Sequence, residues 1–122
     1  MSNAINWFEI PASNFERAVD FYSKVLAAPI HQNVMANLQM GILPYEQGEI
    51  GGAVVKGEGY TPSATGSLIY LNGGEDLNVP LARVEANGGQ VVVPKTKISD
   101  EVGYMAVFMD CEGNRMAFHS PN

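Results

Sequence analysis

The stretch Trp7-Phe8-Glu9-Ile10-Pro11-Ala12-Ser13-Asn14-Phe15-Glu16-Arg17-Ala18-Val19-Asp20-Phe21-Tyr22 decides the fold. Its aromatic and aliphatic start, from Asn6 to Ala12, predicts a strand that Pro11 stops. Ser13 then stands three residues before Glu16, the spacing of a capping box in which each side chain satisfies the other end's free backbone N–H. Phe15, Ala18, Val19, Tyr22, Val25 and Leu26 recur at three and four, so one apolar stripe runs along a helix from about Asn14 to Ala27. Pro29 ends it.

Downstream lie three strand-like runs: Ile30–Met35, Leu38–Leu43 before Pro44, and Ile50–Lys56 with its Gly51-Gly52 pair. A segment rich in Gly, Ser, Thr and Pro follows and reads as a linker. The order then begins again with a strand over Ser67–Asn72 and a turn through Gly73 and Gly74. A helix over about Asn78–Asn87 has Pro80 in its first turn, Leu81 and Val84 facing inward, and Gly88-Gly89 as its C-cap. Gln90–Val93 is a strand, Pro94–Asp100 a loop or short edge strand, and Val102–Asp110 a strand. Glu112-Gly113-Asn114 is a tight turn, and Arg115–Ser120 the last strand. Strand, helix and three strands, twice, is an internal repeat of element order. It predicts an α+β fold of two βαβββ modules with curved mixed sheets forming a half-open barrel. Module 1 covers about residues 3–57, the linker about 58–65 and module 2 about 66–121, all in one domain. Helices on one side of paired sheets would leave a shared concavity on the other, a natural ligand pocket.

Composition bounds the function. The chain has 122 residues, 46% hydrophobic and 16% charged, enough for one globular core. A net charge of −6, with no cluster of Lys or Arg, argues against nucleic acid and against an anionic membrane surface. No run is apolar enough to span a bilayer, and Met1–Ile5 is not a secretory signal. Cys111 stands alone and reads as a small core residue rather than a nucleophile. These features fit a reducing cytoplasm. Gly51-Gly52 is not a phosphate loop, because it does not open into a helix.

The residues Glu9-Ile10-Pro11, Phe15-Glu16-Arg17-Ala18, Phe21-Tyr22 and Asp110-Cys111-Glu112-Gly113-Asn114 resemble the vicinal oxygen chelate superfamily. That superfamily groups glyoxalases, bleomycin-resistance proteins and extradiol dioxygenases. Trp7-Phe8-Glu9, Gly51–Lys56, Gly88-Gly89 and Phe118-His119-Ser120 further resemble its single-domain branch related to lactoylglutathione lyase. The resemblance covers nearly the whole chain and rests on the joint order of its motifs. It implies the paired βαβββ fold, a homodimer, and, in many members, a divalent metal at the centre of the concavity.

The implied ligand positions fall on Trp7, Ser67 and Ala117, with a fourth near Gly51–Ala53. None of the three placed positions holds a metal well, so no cofactor is expected at the standard site. Alternation puts Glu9 on the face of Trp7, and His119 on the face of Ala117. The pair then has three readings: ligands of a displaced metal, a catalytic acid–base pair, or a hydrogen-bonded structural pair. The expected substrate pocket comprises Trp7, Glu9, Ser67, Ile69, Ala117 and His119, and Tyr70 is expected to face the helices. The leading function is binding of a small, partly apolar molecule. Its rivals are a glyoxalase-type metal-dependent lyase or isomerase using Glu9 and His119, a protein that sequesters a drug or metabolite, and an interaction module whose cavity is filled by its own side chains. His31, Asp110, Glu112 and the methionines read as structural residues, the acids through turn chemistry.

Overall fold

The computed structural model describes residues 3–122. The first module is β1 (Trp7–Pro11), α1 (Phe15–Val25), β2 (His31–Met35), β3 (Leu38–Ile42) and β4 (Gly51–Lys56). The second is β5 (Ile69–Asn72), α2 (Asn78–Leu81), β6 (Gln90–Ser99), β7 (Gly103–Met109) and β8 (Arg115–Ser120). Each module makes a four-stranded mixed sheet, in the orders β1-β4-β3-β2 and β5-β8-β7-β6. In both, the first strand runs parallel to the last and forms a sheet edge. The expected α+β repeat is therefore present. The helix expected over Asn78–Asn87 is two shorter pieces, α2 and a 3-10 turn at Glu85–Asn87, ended by Gly88 in the left-handed region. Of the loop or short edge strand expected over Pro94–Asp100, the edge strand is present: β6 runs on through Pro94 to Ser99 and breaks register at three places.

The sheets are not closed into a barrel. One hydrophobic cluster takes Ile10 and Val54 from the first sheet, Phe21, Tyr22 and Val25 from α1, and Leu71, Ala106, Phe108 and Phe118 from the second sheet. Phe108 and Phe118 stack at 4.8 Å, with Phe21 beside Phe108 at 6.4 Å. Helix α1 thus packs against both sheets, and the Arg83 guanidinium donates to the Val25 carbonyl at its end (3.1 Å). Both sheets turn their helix-side faces toward this core. Their opposite faces point away from it. Burying the large side chains of both modules in one cluster removes more apolar surface from water than two separate thin layers could. Among the described residues no helix is long and apolar enough to cross a membrane.

Two polar devices lock the modules together. The buried Asp110 carboxylate accepts from the Tyr22 hydroxyl (2.7 Å), from Asn114 Nδ2 (3.0 Å), and from the backbone N–H groups of Glu112 (2.8 Å) and Asn114 (2.9 Å). Burial, followed by the Asp110 charge, holds the Tyr22 phenol well above its usual range, so it stays a donor. The start of α1 is not the expected Ser13/Glu16 box. Asn14 is the N-cap and accepts from the Arg17 N–H (3.1 Å). Glu112, from the far module, accepts from the backbone N–H groups of Ser13 and Asn14 and from the Arg17 guanidinium. A carboxylate at this helix end also meets the positive end of the helix dipole.

Candidate functional site

Alternation along β1 sends Phe8 and Ile10 to the core and Trp7 and Glu9 to the outer face of the first sheet. There the Tyr60 hydroxyl donates to Glu9 Oε1 (2.6 Å) and the Trp7 indole N–H to Glu9 Oε2 (3.4 Å). The hydrogen bond to Glu9, more than burial, raises the Tyr60 phenol above its usual range. Tyr45 stands edge-on to Trp7, at 6.1 Å and 83°. Trp7 is 38% exposed and Tyr45 48%.

The Gly51-Gly52 pair explains how these rings lie so close to the sheet. Gly51 is the register partner of Trp7, and a Cβ there would sit 2.5 Å from the Tyr45 ring. Gly52, facing the other way, gives the same room to Phe8 on the core side. A side chain at Gly51 must displace Tyr45, whose ring is half exposed. Gly51→Val is therefore expected to cost about 1–3 kcal/mol of stability, while visibly changing the emission of Trp7, the single tryptophan. Unchanged Trp7 fluorescence would show that Tyr45 does not rest on this floor.

The second sheet has its own outer face. Tyr70 pairs with Ala117 and Asn72 with His119, whereas Ile69 pairs with Met116 and Leu71 with Phe118. The expected phase of β5 is corrected by one residue. Ile69 packs against the core, and Tyr70, expected among the helices, stands on the Ala117 face, 51% exposed. The strand begins at Ile69 rather than at Ser67, and Leu71 and Ile69 are the side chains the core admits. Ser67 precedes the strand. With Ile69 it lines the junction between the modules, where Glu9 and Ile10 are on the opposite wall. His119 Nε2 donates to the Val102 carbonyl (2.6 Å), since a carbonyl can only accept.

Glu9 and His119 are thus engaged apart, one with Tyr60 and Trp7 and the other with Val102. Among the described residues no three His, Cys, Asp or Glu side chains stand close enough to hold a metal ion. The donor set at the implied positions, an indole, a serine hydroxyl before the strand and a methyl group, does not fit the divalent metal that the fold suggests. Cys111, half-buried, is pushed up to about 12 by burial and then by the charges of Asp110 and Glu112, which leaves a thiol and not a nucleophile at neutral pH.

A larger cleft of about 770 Å³ opens between the modules, within the size range of small-molecule sites. Phe8, Leu26 and Leu43 form one wall, Leu68, Ile69 and Leu71 the other. It contains neither Glu9 nor His119, and few polar groups reach it. Its lining suits apolar contact. The Tyr45–Glu9 cluster was missed in the sequence because Tyr45 and Tyr60 sit in loops, where no periodicity marks a facing.

The fold is that of glyoxalase and bleomycin-resistance proteins. An antibiotic-binding protein, TnmS3 from Streptomyces sp. CB03234, superposes with a TM-score of 0.73 at 21% identity, over 100% of this chain and 99% of that one. A glyoxalase/bleomycin resistance protein from Albidiferax ferrireducens T118 gives 0.72 at 16% identity, over 95% and 97%. A glyoxalase I mutant from Zea mays gives 0.69 at 13% identity, over 95% of this chain but 45% of that longer one. No protein-family model matches the sequence, and no curated protein matches it.

Proposed function

We propose that the chain is a small-molecule-binding protein of this fold that works without the family's metal chemistry. Its ligand surface is the outer face of the first sheet around Trp7 and Glu9. A second copy closes that surface with the outer face of its own second sheet, bringing Tyr70, Ala117 and His119. The observation that carries the reading is the half-buried Glu9–Tyr60 pair with the exposed Trp7 beside it, which fixes a carboxylate and an indole in place on the face turned away from the main core. The fold's antibiotic-binding relative supports the ligand class. Exposed Tyr45, Tyr70, Ile98 and Val102, together with the unpaired edges of β1 and β5, support the dimer. A lone thiol and an acidic surface suit the cytoplasm.

Light scattering is expected to give about twice the 13.1 kDa chain mass. Chelator-free protein is expected to carry far less than one equivalent of transition metal. A panel of small aromatic compounds is expected to contain members that raise the melting temperature and change Trp7 emission together. One equivalent of bound metal would favour the lyase or isomerase reading. A monomer that no compound stabilises would favour a filled interaction module.

A further inference from the structure

Resting on that reading, we propose that the Trp7 face takes a bulky organic cation, a quaternary or protonated amine, rather than an anion or a neutral molecule. The carboxylate of Glu9 is held by two neutral donors, the Tyr60 hydroxyl and the Trp7 indole N–H. Those bonds orient it without cancelling its charge. The ion pairs among the described residues join Arg17 to Glu112, Lys24 to Asp20, Lys95 to Asp76 and Lys97 to Asp100, and none reaches Glu9. Each Glu9 oxygen keeps a lone pair for an incoming partner.

The surroundings favour positive charge and spread-out shape. Tyr45 shares a surface depression with Glu46 and Glu49 that no Lys or Arg lines, and Arg115, which lines the junction pocket that Glu9 also lines, makes no ion pair with Glu9 among the described residues. The carboxylates do not converge on one metal-sized point. Glu9 is bonded to Trp7, while Glu46 and Glu49 share their depression with Tyr45, so carboxylates accompany both rings of the Trp7–Tyr45 pair, which matches a diffuse charge carried on methyl or methylene groups. Indole and phenol faces attract such a cation through their ring electrons, and most strongly where water is excluded. The net charge of −6 draws cations toward the protein as a whole and turns anions away. A purely structural Glu9–Tyr60 bond would tie the loop to β1, but it would not need Trp7 and Tyr45 left open beside it.

Trp7 is the single tryptophan, so its emission reports this face alone. Choline and its uncharged carbon isostere, 3,3-dimethylbutan-1-ol, are titrated against the full-length protein and against Glu9→Gln and Tyr45→Ala. Choline is expected to change the emission saturably, with the isostere at least about tenfold weaker. Glu9→Gln is expected to remove most of that preference, and Tyr45→Ala to weaken choline while leaving Glu9 in place. Equal response to both compounds, unaltered by Glu9→Gln, would overturn the cation assignment while leaving small-molecule binding intact. No response to either compound would also overturn it, and the aromatic panel then judges the broader reading by itself.

Discussion

Asp110→Ala is expected to lower folding stability by about 3–5 kcal/mol, measured as a shift in the urea midpoint at unchanged slope. The carboxylate accepts four hydrogen bonds, two of them from side chains buried with it. Removing it leaves the Tyr22 hydroxyl and one Asn114 amide hydrogen without an acceptor, in a place water does not reach. Asn114 also donates to the Pro11 carbonyl (2.8 Å) and accepts from the Ser63 N–H (3.0 Å), so the loss reaches β1 and the connecting loop. Tyr22→Phe removes one bond only and is expected to cost about 1–2 kcal/mol. A loss below 1 kcal/mol for Asp110→Ala would mean that the apolar core alone joins the modules.

Glu112→Gln is expected to cost about 1.5–3 kcal/mol at neutral pH and to flatten the acid limb of the stability profile. The side chain is 1% exposed. Burial pushes its carboxyl up, but the Arg17 guanidinium and the Asn14 and Ser13 N–H groups outweigh that and hold it below the usual 4.5. The sign follows from linkage. The unfolded glutamate takes up a proton more readily than the folded one, so every step down in pH favours unfolding. Its contribution is whole above about pH 4.5 and fades as pH falls through the lower folded value. Urea unfolding at pH 7 and at a series of lower values should show the wild type converging on the variant. Parallel curves at a fixed separation would show that Glu112 acts by shape and not by charge.

Much of the architecture was legible because it rests on periodicity and punctuation. The three-and-four spacing from Phe15 to Val25 gives α1, and the turn at Glu112–Asn114 gives the last hairpin. The outward facing of Trp7 and Glu9 follows from alternation against Ile10. In β5 the alternation holds but its expected faces are exchanged: the sequence assigns the Ser67 and Ile69 side to the cavity, whereas Ile69 and Leu71 face the core and Tyr70 faces away from it. The direction in which the sheets fold was not legible, since packing Phe21 against Phe108 is a choice between elements far apart in the chain. Nor was the role of Glu112, because local turn chemistry and a distant helix cap ask for the same residue type. The Gly51-Gly52 pair looked like strand punctuation and is a floor for two rings on opposite faces.

Beyond the local Asn14 cap, the carboxylate that braces the start of α1 comes from a residue made almost a hundred positions later. During synthesis, then, the first half emerges with the Ser13 and Asn14 N–H groups lacking their carboxylate and Tyr22 without its acceptor. Domains commonly settle from the N-terminus as they leave the ribosome. This chain must wait until Asn114 is out, and a nascent first half alone is a target for chaperones and proteases.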